Sequence, residues 1–229
     1  VLVAAMTACA LLGMTIERLA YRRLRGAPTL NVLITAIGVS LFLEYTGQVF
    51  FGAAPRTFPA VFPSRHFTTG ELVVSSNQLV VIGVAIALVI ALQAIVHRTK
   101  IGTAMRAVSL NPRAAQLVGV NTNTVIAFTF ALGSALAGAG GVLYAMNYPS
   151  IDPLMGVMPG LKAFVAAILG GIGNIPGAAL GGLILGVVET FVGGSEYSTY
   201  KDAIAFAILI VILLFRPAGL LGRFMVEKV

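Results

Sequence analysis

The chain has 229 residues, 58% of them hydrophobic and only 10% charged, with a mean hydropathy of +0.97. That balance excludes an ordinary soluble domain and predicts a membrane protein. The net charge of +7 would suit a nucleic-acid partner, but the basic residues are sorted by position between apolar runs, which argues for membrane topology instead.

In chain order the apolar runs cover residues 1–16, 28–51, 79–96, 124–146, 161–172, 177–192 and 203–215. The second and fourth exceed the ~20 residues that cross ~30 Å of hydrocarbon as a helix. The shorter runs must tilt, recruit their flanks or stop short. The first run begins at residue 1 without a methionine, a basic leader or a small-residue cleavage site, so it reads as the inside of a helix and not as a signal peptide. Cys9, the single cysteine, excludes an internal disulfide or a cysteine-rich metal site.

Arg18, Arg22, Arg23 and Arg25 follow the first run, Arg98, Lys100, Arg106 and Arg113 the third, and Arg216, Arg223 and Lys228 the last. The other connections carry Arg56, Arg65, Lys162 and Lys201 beside Glu71, Asp152, Glu196 and Asp202. Since basic residues stay on the cytoplasmic side, 17–27, 98–123 and 216–229 are placed inside, and 52–78, 147–159 and 193–201 outside. Residues 160–192 then leave from and return to the outer face, which makes them a hairpin. Its turn is "GGIGNIPGAALGG", residues 170–182.

So glycine-rich a stretch could cradle a phosphate, and it fails both tests for one. A Walker A loop needs a lysine, and none lies between Lys162 and Lys201. A dinucleotide fingerprint needs a third glycine where Pro176 stands, after a strand that is not predicted. In a membrane the same residues serve packing. Gly173, Gly177 and Gly181 recur every four positions, and so do Gly133, Ala137 and Gly141, with Ser134 and Gly138 as a second row. Such rows let helix backbones approach closely. Whether the hairpin spans fully or is re-entrant stays open at this level.

Charged groups within the runs are few. Glu44 lies ~24 Å along its helix, near the outer interface. Lys162 and Glu189 open and close the hairpin arms at similar depth and are expected to pair near the outer mouth, a substrate contact being the alternative. No line of acids or histidines suggests proton coupling. Ser134, His97 and His66 are too dispersed for a nucleophile and base, so no enzyme is expected.

The longest cytoplasmic connection reads "HRTKIGTAMRAVSLNPRAAQLVGVNTNT", residues 97–124. It parses as one helix through Met105 and Arg106, a break at Asn111, and a second helix with Pro112 in its first turn and Gly119 as its stop. Ala114 and Ala115 are expected to expose a small apolar patch, suited to docking a cytoplasmic partner.

"GTAMRAVSLNPRAAQLVGVNT", "AFVAAILGGIGNIPGAALGGLILGVVE", the closing "RPAGLLGR" and the early "IERLAYRRLRG" with "LITAIGVSLFLEY" together resemble the permease subunits of bacterial branched-chain amino acid ABC transporters, the LivH-type family. The resemblance covers essentially the whole chain. It implies an all-α polytopic transmembrane bundle in the inner membrane, with its C-terminus in the cytoplasm, forming a single permease domain over 1–229 with a coupling loop at 98–123. Its implied partners are a second permease subunit, two cytoplasmic ATPase subunits and a periplasmic binding protein; ATP is bound by the ATPases and no cofactor by this chain. Gly102, Arg106, Asn111, Pro112, Arg113, Ala114, Ala115, Gly119 and Asn121 match the family's ATPase-coupling segment. Members usually begin with further hydrophobic segments, which this chain is expected to lack. Glu44, Tyr144, Asn147 and Tyr148 are candidates for the substrate pathway, an aromatic interfacial anchor being the alternative for the last three. Gly133, Gly141, Gly173, Gly177 and Gly181 are candidates for helix packing. Another small solute, such as urea, an amide or a different amino acid, is the alternative cargo, and an ion-coupled carrier or channel the alternative class.

Overall fold

The computed structural model describes residues 1–59, 66–69, 72–148, 150–216 and 219–222. Arg65, Glu71, Arg223 and Lys228 of the charge pattern, and Pro217 and Ala218 of the closing motif, lie outside the described residues. The described residues are almost all helical: α1 (Leu2–Leu19), α2 (Thr29–Phe51), α3 (Ser76–Arg98), α4 (Lys100–Leu110), α5 (Pro112–Leu117), α6 (Thr122–Asn147), α7 (Val157–Gly170), α8 (Ile175–Gly193) and α9 (Lys201–Phe215). Short 3-10 turns cover Tyr21–Leu24 and Ser198–Tyr200. Among the described residues six helical stretches are long and apolar enough to cross a membrane, and α7 is a shorter apolar helix. The protein is a multi-pass helical membrane protein.

The chain divides into two compact units, Val1–Leu154 and Met155–Val229. In the first, α1 lies along α6 in its most extensive helix pairing, and α3 packs against α4 and α6. The connection after α2 meets the one after α6: β1 (Arg56–Thr57) pairs antiparallel with β4 (Ser150–Ile151), Arg56 opposite Ile151. Gly47 of α2 lies against Pro153, with 3.5 Å from a Cβ built there to the proline ring. A second antiparallel ribbon joins β2 (His66–Thr69) to β3 (Leu72–Ser75). At the opposite end the two basic connections meet, because Arg25 donates to Asn123. The unit therefore gathers the basic connections at one end and the others at its far end, as the charge pattern predicts.

Close packing of α1 on α6 uses one small-residue row. A Cβ on Gly138 would sit 2.9 Å from both the Ala5 carbonyl and Cys9 Sγ, and one on Gly13 would collide with Ser134. Gly133 and Gly141 are not the row that meets α1: a Cβ at either meets nothing within 4 Å among the described residues. The row that takes α1 begins one residue along from Gly133, ~100° round the helix.

In the second unit α7 and α8 form the predicted hairpin, and α9 packs against both arms. Val165, Ala166, Leu185 and Ala205 make its buried core, with Phe206 and Leu209 against them. Gly177 and Gly181 face α7. A Cβ on Gly181 would lie 2.2 Å from the Ala166 carbonyl, and one on Gly177 2.4 Å from that of Gly170. Gly173 lies in the turn and not on a packing face of α8: a Cβ there would meet nothing within 4 Å among the described residues, and its φ of +88° is the left-handed backbone that a side chain disfavours.

Candidate functional site

Two places gather polar chemistry: the segment from α4 to the start of α6, and the two ends of the hairpin unit.

The α4–α5 segment is a chain of caps. Thr99 Oγ1 accepts from Gly102 N at 3.1 Å and starts α4. Asn111 closes α4, its amide bonding the Ala107 carbonyl, and opens α5, its Oδ1 accepting from Arg113 N and Ala114 N at 3.0 Å each. Pro112 occupies the first turn of α5, where no amide is missed. Gly119, with φ +85°, reverses the chain after α5. Asn121 then caps α6 through Asn123 N and Thr124 N at 3.1 and 3.3 Å. Each cap satisfies amides that a helix start leaves orphaned, so three consecutive helices are fixed by side chains two or three residues away.

This geometry sorts the coupling candidates. Gly102 is buried where α4 folds back on α3: a Cβ there would lie 2.3 Å from the carbonyls of Ile95 and Val96. Asn111, Gly119 and Asn121 are shape-setting positions. Arg106 and Arg113 are exposed, the Arg106 guanidinium donating back to Thr103 Oγ1 at 3.3 Å on its own helix. Ala114 is exposed, but Ala115 is not, which corrects the expected Ala114–Ala115 patch. With Asn111 setting the phase of α5, Ala115 turns inward onto Val108 and Val125. The exposed apolar surface is formed instead by Leu110, Leu117 and Val118, at 72%, 89% and 78% exposure. These three were missed because they stand at the C-terminal ends of two helices too short for periodicity to mark a face.

The candidates for the substrate pathway lie in the first unit. Glu44 is half-buried on α2 and accepts from Ser40 Oγ at 2.8 Å, one turn back on its own helix. Tyr144 and Tyr148 stack at the end of α6, ring centroids 4.7 Å apart, with Asn147 and Tyr148 exposed. The β1–β4 pairing sets the ends of α2 and α6 on the same side of this unit, but no bond joins Glu44 to the tyrosines among the described contacts.

The expected pair at the hairpin mouth is present and larger than expected. Lys162 Nζ lies 2.8 Å from Glu189 Oε1 and 2.7 Å from Asp202 Oδ1, so one ammonium joins α7, α8 and α9. At the other end Asn174 Oδ1 accepts from Gly177 N at 3.0 Å to start α8, and its Nδ2 donates to the Leu221 carbonyl at 2.9 Å. Leu220 N and Leu221 N donate to the Leu169 and Gly170 carbonyls at 2.8 and 3.1 Å. The last carbonyls of α7, which its own helix cannot satisfy, are thus taken by the segment that follows α9. The turn therefore lies level with the end of α9, and the hairpin runs as deep as α9 does. Gly219 packs into this junction, a Cβ there falling 2.6 Å from Gly171 Cα.

A family model described as branched-chain amino acid transport system, permease component, matches residues 1–213. The chain is 44% identical to the high-affinity branched-chain amino acid transport system permease protein BraD of Pseudomonas aeruginosa, over 95% of this chain and 72% of that protein. It is 41% identical to the corresponding permease protein LivH of Escherichia coli K12, with the same coverage of both. The ribose import permease protein RbsC of Haemophilus influenzae is 31% identical over 52% of this chain and 38% of its own length. No solved structure matches. Membrane-spanning helices, a capped loop at the basic end and a match that runs through nearly every element lead to one assignment: the chain belongs to the family of branched-chain amino acid transport system permease components.

Proposed function

We propose that this chain is the membrane-spanning permease subunit of an ATP-driven ABC importer for branched-chain, apolar amino acids, acting as one permease domain in the bacterial inner membrane with its C-terminus in the cytoplasm. It pairs with a second permease subunit, receives substrate from a periplasmic binding protein, and is driven by two ATPase subunits that bind the ATP. The observation that carries this reading, beside family membership, is the α4–α5 segment: a pair of helices each started by a side-chain cap, at the basic end of its unit, exposing Leu110, Leu117 and Val118 as well as Arg106 and Arg113. Exposed apolar residues in a segment that also exposes charge suit a protein-docking surface when the segment stands beyond the membrane. A capped helix passes on a displacement that an irregular loop would absorb.

In this reading Glu44, Tyr144, Asn147 and Tyr148 lie near the outer mouth, where substrate enters. Half of the chain is also similar to a ribose import permease protein, so likeness in sequence alone does not select the cargo. The test is reconstitution of the permease with its partner subunits in proteoliposomes and measurement of leucine uptake with and without ATP. ATP-dependent leucine uptake is expected; equal uptake without ATP would overturn the importer reading, and ATP-driven uptake of ribose but not leucine would overturn the substrate.

A further inference from the structure

Glu17 is fully buried in the last turn of α1. Two guanidiniums answer it: Arg25 Nη2 donates to Oε1, and Arg22 Nη2 lies 3.7 Å from Oε2. A carboxylate in that position persists only when paired, since it has lost its hydration. Arg25 has a second task. Its Nη1 donates to Asn123 Oδ1 in the first turn of α6, and the Tyr21 ring beside it packs on Phe130 of α6 with centroids 5.1 Å apart. The same turn of α6 is also bonded to the α4–α5 segment, where Gln116 Nε2 of α5 donates to Thr122 Oγ1 at 3.1 Å. One unbroken path of contacts therefore runs from α5 through Thr122, Asn123 and Arg25 to Glu17 and α1.

We propose that Arg25, braced by Glu17, is a positioning residue: by holding Asn123 it makes α1 follow α6 when the α4–α5 segment is displaced. The planar guanidinium suits this role because its fork presents donors to two acceptors in fixed directions, which an ammonium does not. The α1 and α6 backbones are already in close contact at Gly13 and Gly138, and the Arg25 bridge pins their register at the end where force arrives. The proposal rests on the coupling role given above to the α4–α5 segment.

Asn123 is exposed, so it can be altered without uncovering the buried pair. In the assembled transporter in proteoliposomes, Asn123→Ala and Arg25→Lys are expected to retain co-purifying ATPase subunits and the wild-type unfolding temperature. Substrate moved per ATP should fall about fivefold or more. Asn123→Asp, which preserves an acceptor for Arg25, should move substrate at the wild-type ratio. An unchanged ratio in Asn123→Ala overturns the proposal. So does an equal loss in Asn123→Asp, because the asparagine would then be needed for something other than Arg25. Leu117→Glu in the same assay separates the premise: if its ATPase subunits still co-purify and uptake persists, the docking reading of the loop fails whatever Asn123 shows.

Discussion

Asn174 bonds two parts of the chain at once, accepting from Gly177 N at 3.0 Å and donating to the Leu221 carbonyl at 2.9 Å. One amide side chain starts α8 and fastens the segment after α9 across the hairpin turn. Asn174→Ala removes both bonds and should cost about 1–2 kcal/mol, the range for a lost helix cap. Asn174→Asp keeps the cap but sets an oxygen against the Leu221 carbonyl. A smaller loss for aspartate than for alanine, read from unfolding midpoints in detergent, is the expected outcome; equal losses would assign the whole effect to the Leu221 bond.

Glycine substitutions should divide by contact and not by spacing. Gly181→Ala and Gly138→Ala each drive a methyl into a facing helix, at 2.2 Å from the Ala166 carbonyl and 2.9 Å from Cys9 Sγ. Overpacking of that kind costs about 1–3 kcal/mol. Gly186→Ala and Gly133→Ala meet nothing within 4 Å among the described residues and should leave the unfolding midpoint of the isolated subunit unchanged or slightly raised. Loss of assembly with the second permease subunit in Gly133→Ala alone would place that row at an interface between subunits.

Lys162 neutralises two carboxylates, Glu189 and Asp202, from two other helices. Lys162→Met leaves the acids facing one another and should be worse for folded yield than Glu189→Gln or Asp202→Asn. Combining all three substitutions should recover part of the loss, because a charge whose partner is gone is more harmful than no charge. Coupling of about 0.5–3 kcal/mol is expected in a double-mutant cycle of Lys162 with Asp202. Strictly additive losses would show that the contact contributes nothing.

Asn111 fixes the phase of α5 and thereby turns Ala115 inward onto Val108 and Val125. Asn111→Ala frees the Arg113 and Ala114 amides, and a helix of six residues has little else to hold it. Membrane insertion should be intact and ATP-driven leucine uptake should fall about tenfold, while Asn111→Asp, an equally good cap, should preserve it. Uptake unaffected by Asn111→Ala would show that the shape of α5 is immaterial to coupling.

Much of this architecture was legible in the residues. Windowed hydropathy marks the helices, and the alternation of basic connections predicts that residues 17–27 and 98–123 share one end, as the Arg25–Asn123 bond confirms for the first unit. The break at Asn111, the place of Pro112 and the stop at Gly119 follow from chemistry acting within three residues, as does the α7–α8 turn. These features are local, so local sequence determines them.

Tertiary structure alone decided the rest. Both small-residue rows of α6 have the same spacing, and since lipid and a partner helix are equally apolar, hydropathy cannot say which row meets α1; only the placement of Cys9 and Gly13 selects Ser134 and Gly138. Residue 17 opens a stretch that the charge pattern marks as a connection, yet α1 continues through Glu17, which is paired with Arg22 and Arg25, and Arg25 in turn reaches Asn123, 98 residues further along. The sealing of the hairpin turn by Leu220 and Leu221 likewise spans most of the second unit. Sequence determined which segments are helices and which end each one faces, because those depend on solvent and near neighbours. Which atoms are buried, paired or left open depended on backbones brought together from far apart in the chain.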